Sequence, residues 1–330
     1  HFPFANDTVG VAGIALIHSI FNIFATVVLF PFTKGLEKLA YLTLPITEEE
    51  KSKKEVQEFP LLDDRFLATP SFAIEQCHSM SIEMANLSKD SFLEAIGLLE
   101  NYTQEVADDI IAKENLVDKY EDKLGTYLMQ LTGQPMNSTQ TQQVSEFLHT
   151  LSDFERLGDH AVNISKVALE LAEKKISFSE SAQYEISVLS ASIREITDLT
   201  VDAFCTDSLE MAKKVEPLRE LIGMLCNELK NRHITRLREG KCEFQQGFAF
   251  NDLLTNLERI AAHCSNVAVA MIETNSSEFD THEYVKSVRH MRDEAYQECF
   301  NAYAEKYNIA APEKNEKSEK KENKEAKKAK

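Results

Sequence analysis

Glu155, Asp159 and Asn163 recur every four residues in the stretch DFERLGDHAVNI, which runs from Asp153 to Ile164. A helical turn takes about 3.6 residues, so the three side chains stack on one stripe of a helix. Like charges at that spacing repel, and the repulsion calls for either open solvent or a cation. A second acidic pair at the same interval, Glu114 and Asp118, lies in KENLVDKYEDKL. Were the two helices neighbours, four carboxylates would converge, and such a group needs protons or a bound cation. Ligation by oxygen alone suits hard divalent ions such as Mg²⁺, Mn²⁺ or Ca²⁺ and admits iron. A solvated helix face is the alternative for either pair taken alone. Asn163, one turn on, could serve a bound water, whereas Arg156 is expected off the stripe as a structural ion-pair partner.

The segments that would hold these residues occur twice. LSDFERLGDHAVNI from Leu151 matches LTNLERIAAHCSNV from Leu254, aligning Glu155 with Glu258, Arg156 with Arg259, His160 with His263 and Asn163 with Asn266. DSF at Asp90 likewise resembles DAF at Asp202. Each half reads as three helices, the pattern of a duplicated small bundle rather than a solenoid. The copies differ where the chemistry would be. Asp159 aligns with Ala262, and Glu114 and Asp118 align with Arg219 and Gly223. Only the first half is therefore expected to bind metal.

The composition agrees with helices throughout. The chain has 330 residues with only 10 Gly and 8 Pro, so turns are sparse and an all-α protein is expected. Its formal net charge of −18 argues against nucleic acid as a partner. The 6 cysteines form no CxxC pair and read as reduced thiols of a cytosolic environment. Apolar periodicity places helices at about 71–99, 102–132, 138–174, 180–205, 208–239, 244–274 and 281–307. Ahead of them, Val9 to Phe32 carries no charged side chain. As a helix of about 24 residues it would be about 36 Å long, enough for a hydrocarbon core of about 30 Å. His18, Ser19, Asn22 and Thr26 share one face of that helix, making His18 and Asn22 candidates for a substrate pathway, with polar packing between helices as the alternative. Lys34 and Lys38 follow the run, which would put everything downstream in the cytoplasm. The chain begins at His1 rather than Met, which suggests a fragment lacking upstream transmembrane helices. Residues 44–70 read as a linker, and 311–330 as a disordered charged tail.

ERLGDHAVNI and ENLVDKYEDKL together resemble the signature of PhoU-like domains. The resemblance implies two similar three-helix bundles, a role in phosphate homeostasis, and metal binding through E(D)xxxD motifs, here Glu114/Asp118 and Glu155/Asp159. IALIHSIFNIFATVVLFPF followed by DDRFLATPSFAIEQCHSMSIEMANL resembles the join in bacterial Na⁺/phosphate cotransporters, where a last membrane span leads into a cytoplasmic PhoU-like domain. The expected architecture is then one transmembrane helix within residues 1–43, a first bundle at 71–176, and a second bundle with a C-terminal helix at 177–310. The expected function is that of the C-terminal part of a sodium-dependent phosphate transporter in the plasma membrane, not an enzyme. A divalent or iron-type metal ion is the cofactor implied. The partners implied are phosphate, Na⁺, the membrane and the missing upstream helices, and a homo-oligomer is allowed. Two alternatives stand beside this. One is a stand-alone helical phosphate-signalling adaptor without metal. The other is a carboxylate-bridged di-metal four-helix protein built on EQCH (Glu75, His78) and EFLH (Glu146, His149).

Overall fold

The computed structural model describes residues 18–24, 26, 62–242, 244–275 and 294–309, and all regular structure among them is helical. A short 3-10 turn, Asp64–Ala68, precedes α1 (Pro70–Leu98), α2 (Gln104–Leu131) and α3 (Ser138–Lys174). Then follow α4 (Glu180–Cys205), α5 (Leu209–Ala212), α6 (Val215–Arg238), α7 (Phe244–Asn275) and α8 (Glu294–Lys306). The boundaries have local causes. Pro70 opens α1, where its missing N–H forfeits no helical bond. Asn137 caps α3 in a reciprocal box with Gln140, and Lys175 closes it in the left-handed conformation at φ 52°. Ser179 caps α4 by accepting from the Ala182 N–H.

One expected helix is two. The stretch 208–239 breaks at Lys213 and Lys214. Pro217 is the cause: its ring clashes with the carbonyl four residues back, which is Lys213, so the helix has to restart in the first turn of α6. Of the expected helix 281–307, α8 is the described part, and 281–293 lie outside the described residues.

From Leu61 onward the helices form one compact unit of two tandem bundles. α1, α2 and α3 pack on one another, as do α4, α6 and α7; α3 lies against α7, and α1 against α4. Phe92, Leu124, Leu128, Phe154 and Leu157 fill the first bundle, and Leu189, Ile193, Leu254 and Leu257 the second, all fully buried. Each such side chain contributes roughly 1.5–3 kcal/mol by leaving water. Phe204 of α4 reaches into the first bundle, with ring centroids 5.0 Å from Phe154 and 6.4 Å from Phe147. The six cysteines are free, and burial pushes the Cys77, Cys226 and Cys264 thiols up to about 12.

Residues 18–24 and 26 are helical, with Ile20, Phe21, Ile23 and Phe24 exposed. The rest of the expected membrane span, most of the linker and the charged tail lie outside the described residues. No described helix is long and apolar enough to cross a membrane.

Candidate functional site

The acidic pairs face one another across α2 and α3. The two helices meet at Gly158, where a Cβ would stand 3.7 Å from Val117 and 3.9 Å from the Glu114 Cγ. That is ordinary contact distance, and Ala261 occupies the matching place in the second half. The carboxylates feel each other. Burial, then Asp118 and Asp159, raises Glu114; burial, then Asp159 and Asp122, raises Asp118. Burial, assisted by Asp159 and opposed by Arg156, pushes Glu155 up to about 7. Glu121 is raised by burial and by Asp122 and Asp118, so the acidic field is wider than the four residues of the motif. A search for acids four residues apart reaches Asp122 from Asp118 but passes over Glu121. Their spacing of three and four residues from Asp118 was the available signal. An open hollow of about 680 Å³, lined by Glu121, Asp122 and Met129 among others, borders this field.

Arg156 is the ion-pair partner the sequence suggested, but its side chain turns toward the stripe. Its Nη1 lies 2.9 Å from Asp159 Oδ2 and its Nε 3.3 Å from Glu155 Oε2, so it lies on the acidic stripe rather than off it. Asn163 Oδ1 receives a long bond of 3.5 Å from Lys166 Nζ. Among the described residues, no three Asp, Glu, His or Cys side chains come close enough to hold one metal ion. The donor set has the chemistry of a hard-cation site, but the guanidinium stands where the charge of an ion would be needed.

The second half neutralises its remaining acid differently. Lys230 Nζ donates to Glu258 Oε2 at 2.9 Å. The alignment that pairs Glu114 with Arg219 places Gly125 opposite Lys230, so the first half has no lysine there. Ala262 and Gly223 supply no ligand atom.

Where α3 crosses α7, the repeat folds back on itself. His160 Nδ1 lies 2.9 Å from Asn256 Oδ1, and His263 Nδ1 lies 2.8 Å from Asp153 Oδ1. Asn256 donates its amide to the Asp252 carbonyl, which leaves its oxygen to accept and puts the His160 proton on Nδ1. Asp153 also accepts from the Asn266 amide at 2.9 Å. The two imidazoles face each other with centroids 5.5 Å apart. Burial lowers the His160 pKa. The sequence aligns these residues as copies; that the copies bind each other is legible only in three dimensions.

The residues of the di-metal alternative separate. Glu75, His78 and Glu146 line one cavity of about 390 Å³, together with Asp207 and Thr274. His149 is exposed and is not among that cavity's lining residues. A site with two Glu-x-x-His motifs facing one centre is not formed.

The model of the PhoU domain family matches residues 82–168 and again 186–271. An accessory protein of the phosphate-specific transport system from Clostridium acetobutylicum, named a PhoU homolog, is 23% identical over 201 residues, which covers 60% of this chain and 90% of that protein. A relative of the same name from Aquifex aeolicus is 25% identical over 215 residues, covering 64% and 96%. The crystal structure of PhoU from Pseudomonas aeruginosa superposes with a TM-score of 0.58 at 17% identity, over 61% of this chain and 95% of that one. That of the phosphate transport system regulatory protein PhoU from Streptococcus pneumoniae superposes at 0.57 with 18% identity, over 64% and 99%. These two likenesses concern the fold.

Proposed function

The chain belongs to the PhoU domain family, and on that premise we propose that it is a regulatory accessory of phosphate transport rather than an enzyme. The observation that carries this is the double family match, which falls on both bundles. Relatives named as accessory proteins of phosphate-specific transport are spanned almost end to end. The bundle limits 71–176 and 177–310 are part of the same proposal. The test is a strain lacking its own PhoU, supplied with the full chain. Phosphate uptake should fall back toward the level of the intact strain when external phosphate is high. Unchanged uptake, with the chain folded and abundant, overturns the reading.

A metal site at Glu114, Asp118, Glu155 and Asp159 belongs to this proposal. Its support is the mutual repulsion of the carboxylates and the burial of Glu155 Oε2, which has no hydrogen bond and only the Arg156 ion pair at 3.3 Å. An ion there would add to the positive charge that Arg156 supplies to Glu155 and Asp159, and Lys166 to Glu114, and would tie α2 to α3. Displacement of Arg156 is the step that this chain itself must make.

A second reading, that the chain is the C-terminal part of a Na⁺/phosphate cotransporter, is favoured by the uncharged run Val9–Phe32 and its exposed Ile20, Phe21, Ile23 and Phe24. The Thr26 hydroxyl donates to the Asn22 carbonyl at 2.8 Å, the local satisfaction that a polar group needs in an apolar setting. In this reading the run inserts as one span, residues after Lys34 are cytoplasmic, and His18 and Asn22 border the pathway. A single cysteine at Ser52 should then resist labelling from outside intact cells. Flux through the whole transporter that is indifferent to replacing Na⁺ with K⁺ would remove this reading and leave the accessory role standing.

A further inference from the structure

The cavity between the N-terminal turns of α1 and α3 and the end of α7 lies apart from the acidic field and shares no residue with the His160–His263 cluster. Glu146 is only 7% exposed, and its one described partner is the Thr274 hydroxyl, which donates to Oε2 at 2.8 Å. His78 is half-buried; its Nε2 is shielded from water, has no hydrogen-bond partner and lies 3.9 Å from Asp207 Oδ1. Its ring is fixed by stacking on Phe147, at 5.4 Å between centroids and 12° between planes. Glu75 and Asp207 are exposed at the rim. Asp207 adopts the left-handed conformation at φ 50°, in the turn that leaves α4. Among the described residues that line the cavity there is no lysine and no arginine.

A buried carboxylate without a cation is unfavourable, and the usual remedies are a proton or a positively charged partner. The wall offers acceptors on several sides: the Glu146 carboxylate, the rim carboxylate of Asp207 and, in one tautomer, the Nε2 lone pair of His78. Two acceptors bonded at about 2.9 Å to one tetrahedral nitrogen stand roughly 4–5 Å apart. The 3.9 Å between His78 Nε2 and Asp207 Oδ1 falls just short of that range, so a small rotation of the exposed Asp207 side chain would reach it, and it is too wide for a direct bond. An anion such as phosphate would meet the carboxylates of Glu75, Glu146 and Asp207 here, with no lysine or arginine among the described lining residues to offset them.

We propose that this cavity binds a primary ammonium group, with Glu146 as its counter-ion and His78 and Asp207 as further acceptors. The group could arrive on a free amine or on a lysine side chain of another protein; the chemistry at the wall is the same. Burial pushes Glu146 up to about 7, and a cation in the cavity would be the partner that the carboxylate lacks among the described residues. The assignment does not depend on the role in phosphate regulation, because the residues that carry it lie apart from Glu114, Asp118, Glu155 and Asp159.

The test is calorimetric titration of the full chain at pH 8 with n-butylammonium chloride, and separately with a blocked tripeptide whose central residue is lysine. At least one should bind, and the tighter of the two identifies the source. Tetramethylammonium, which has the charge but no N–H, should bind at least about tenfold more weakly, and inorganic phosphate should not compete. Glu146→Gln keeps the shape and should weaken binding by about tenfold or more. Should that variant fail to fold by circular dichroism, Asp207→Asn at the exposed rim provides the same comparison. Absence of binding by both amines, equal binding of tetramethylammonium, or undiminished binding by the folded variant overturns the assignment.

Discussion

At the scale of single residues, charge is balanced in three different ways. Glu258 has Lys230, Asp159 and Glu155 share Arg156, and Glu146 has a hydroxyl. The second arrangement leads to a prediction about metal. Asp118→Ala with Asp159→Ala should abolish metal retention by the full chain, as read by elemental analysis after dialysis, and Glu258→Ala should leave it unchanged. Arg156→Met should tighten retention, because the ion no longer competes with a guanidinium; a looser hold would mean that Arg156 supports the site instead. The third arrangement concerns pH. Glu146 is pushed up to about 7 from a usual range near 4.5. Between those values the folded chain keeps a proton that the unfolded chain has released, so stability falls as pH rises through this window. Below it both states are protonated and the group is neutral in effect; above it the whole penalty is present. Glu146→Gln should thus stabilise the chain by about 2 kcal/mol at pH 8 and by little at pH 4, measured by urea unfolding. Equal effects at both pH values would show that burial of the charge is not the cause.

At the scale of elements, much was legible because long helices advertise themselves. Their 3.6-residue periodicity set α1 to α4 and α7 within a residue or two of the observed ends. The break before α6 was written in Pro217, but the apolar pattern runs through it and hides the punctuation. The acidic pairs were legible as a stripe, and their facing across α2 and α3 followed from the repeat. What could not be read was the position of Arg156, since a flexible side chain chooses its partner only once the neighbouring helix is present. Asp207 was equally out of reach: its meeting with His78 joins positions far apart in the chain. Two substitutions test what the elements rest on. Asn137→Ala removes the side-chain oxygen that accepts from the Gln140 N–H, leaving only the bond from the backbone N–H of residue 137 to the Gln140 side chain, and should cost about 1 kcal/mol. Phe204→Ala empties the aromatic contact that α4 makes with Phe147 and Phe154, and should cost about 3–5 kcal/mol. A loss below about 1 kcal/mol for Phe204 would mean that the two bundles barely depend on that contact.

At the scale of the whole molecule, the contact between α3 and α7 joins the two repeats. Asp153 accepts from both His263 and Asn266, so Asp153→Ala leaves two donors without an acceptor and should cost about 1–3 kcal/mol in thermal unfolding. Asp153→Asn should be tolerated far better, because Asn256 already plays that part opposite His160. Reciprocity of this kind, in which residue i holds j while the copy of i holds the copy of j, is what an isologous twofold contact leaves behind. The chain is in this sense a homodimer tied into one polypeptide by residues 175–179. The tether replaces a dependence on concentration with a standing local concentration on the order of millimolar. It also frees the two halves from having to be identical: one carries the acidic pairs and the other carries Lys230. A half-length chain ending near Lys175 would be left with an uncovered Asp153–His160 face, and a second copy of itself would be the surface shaped to cover it.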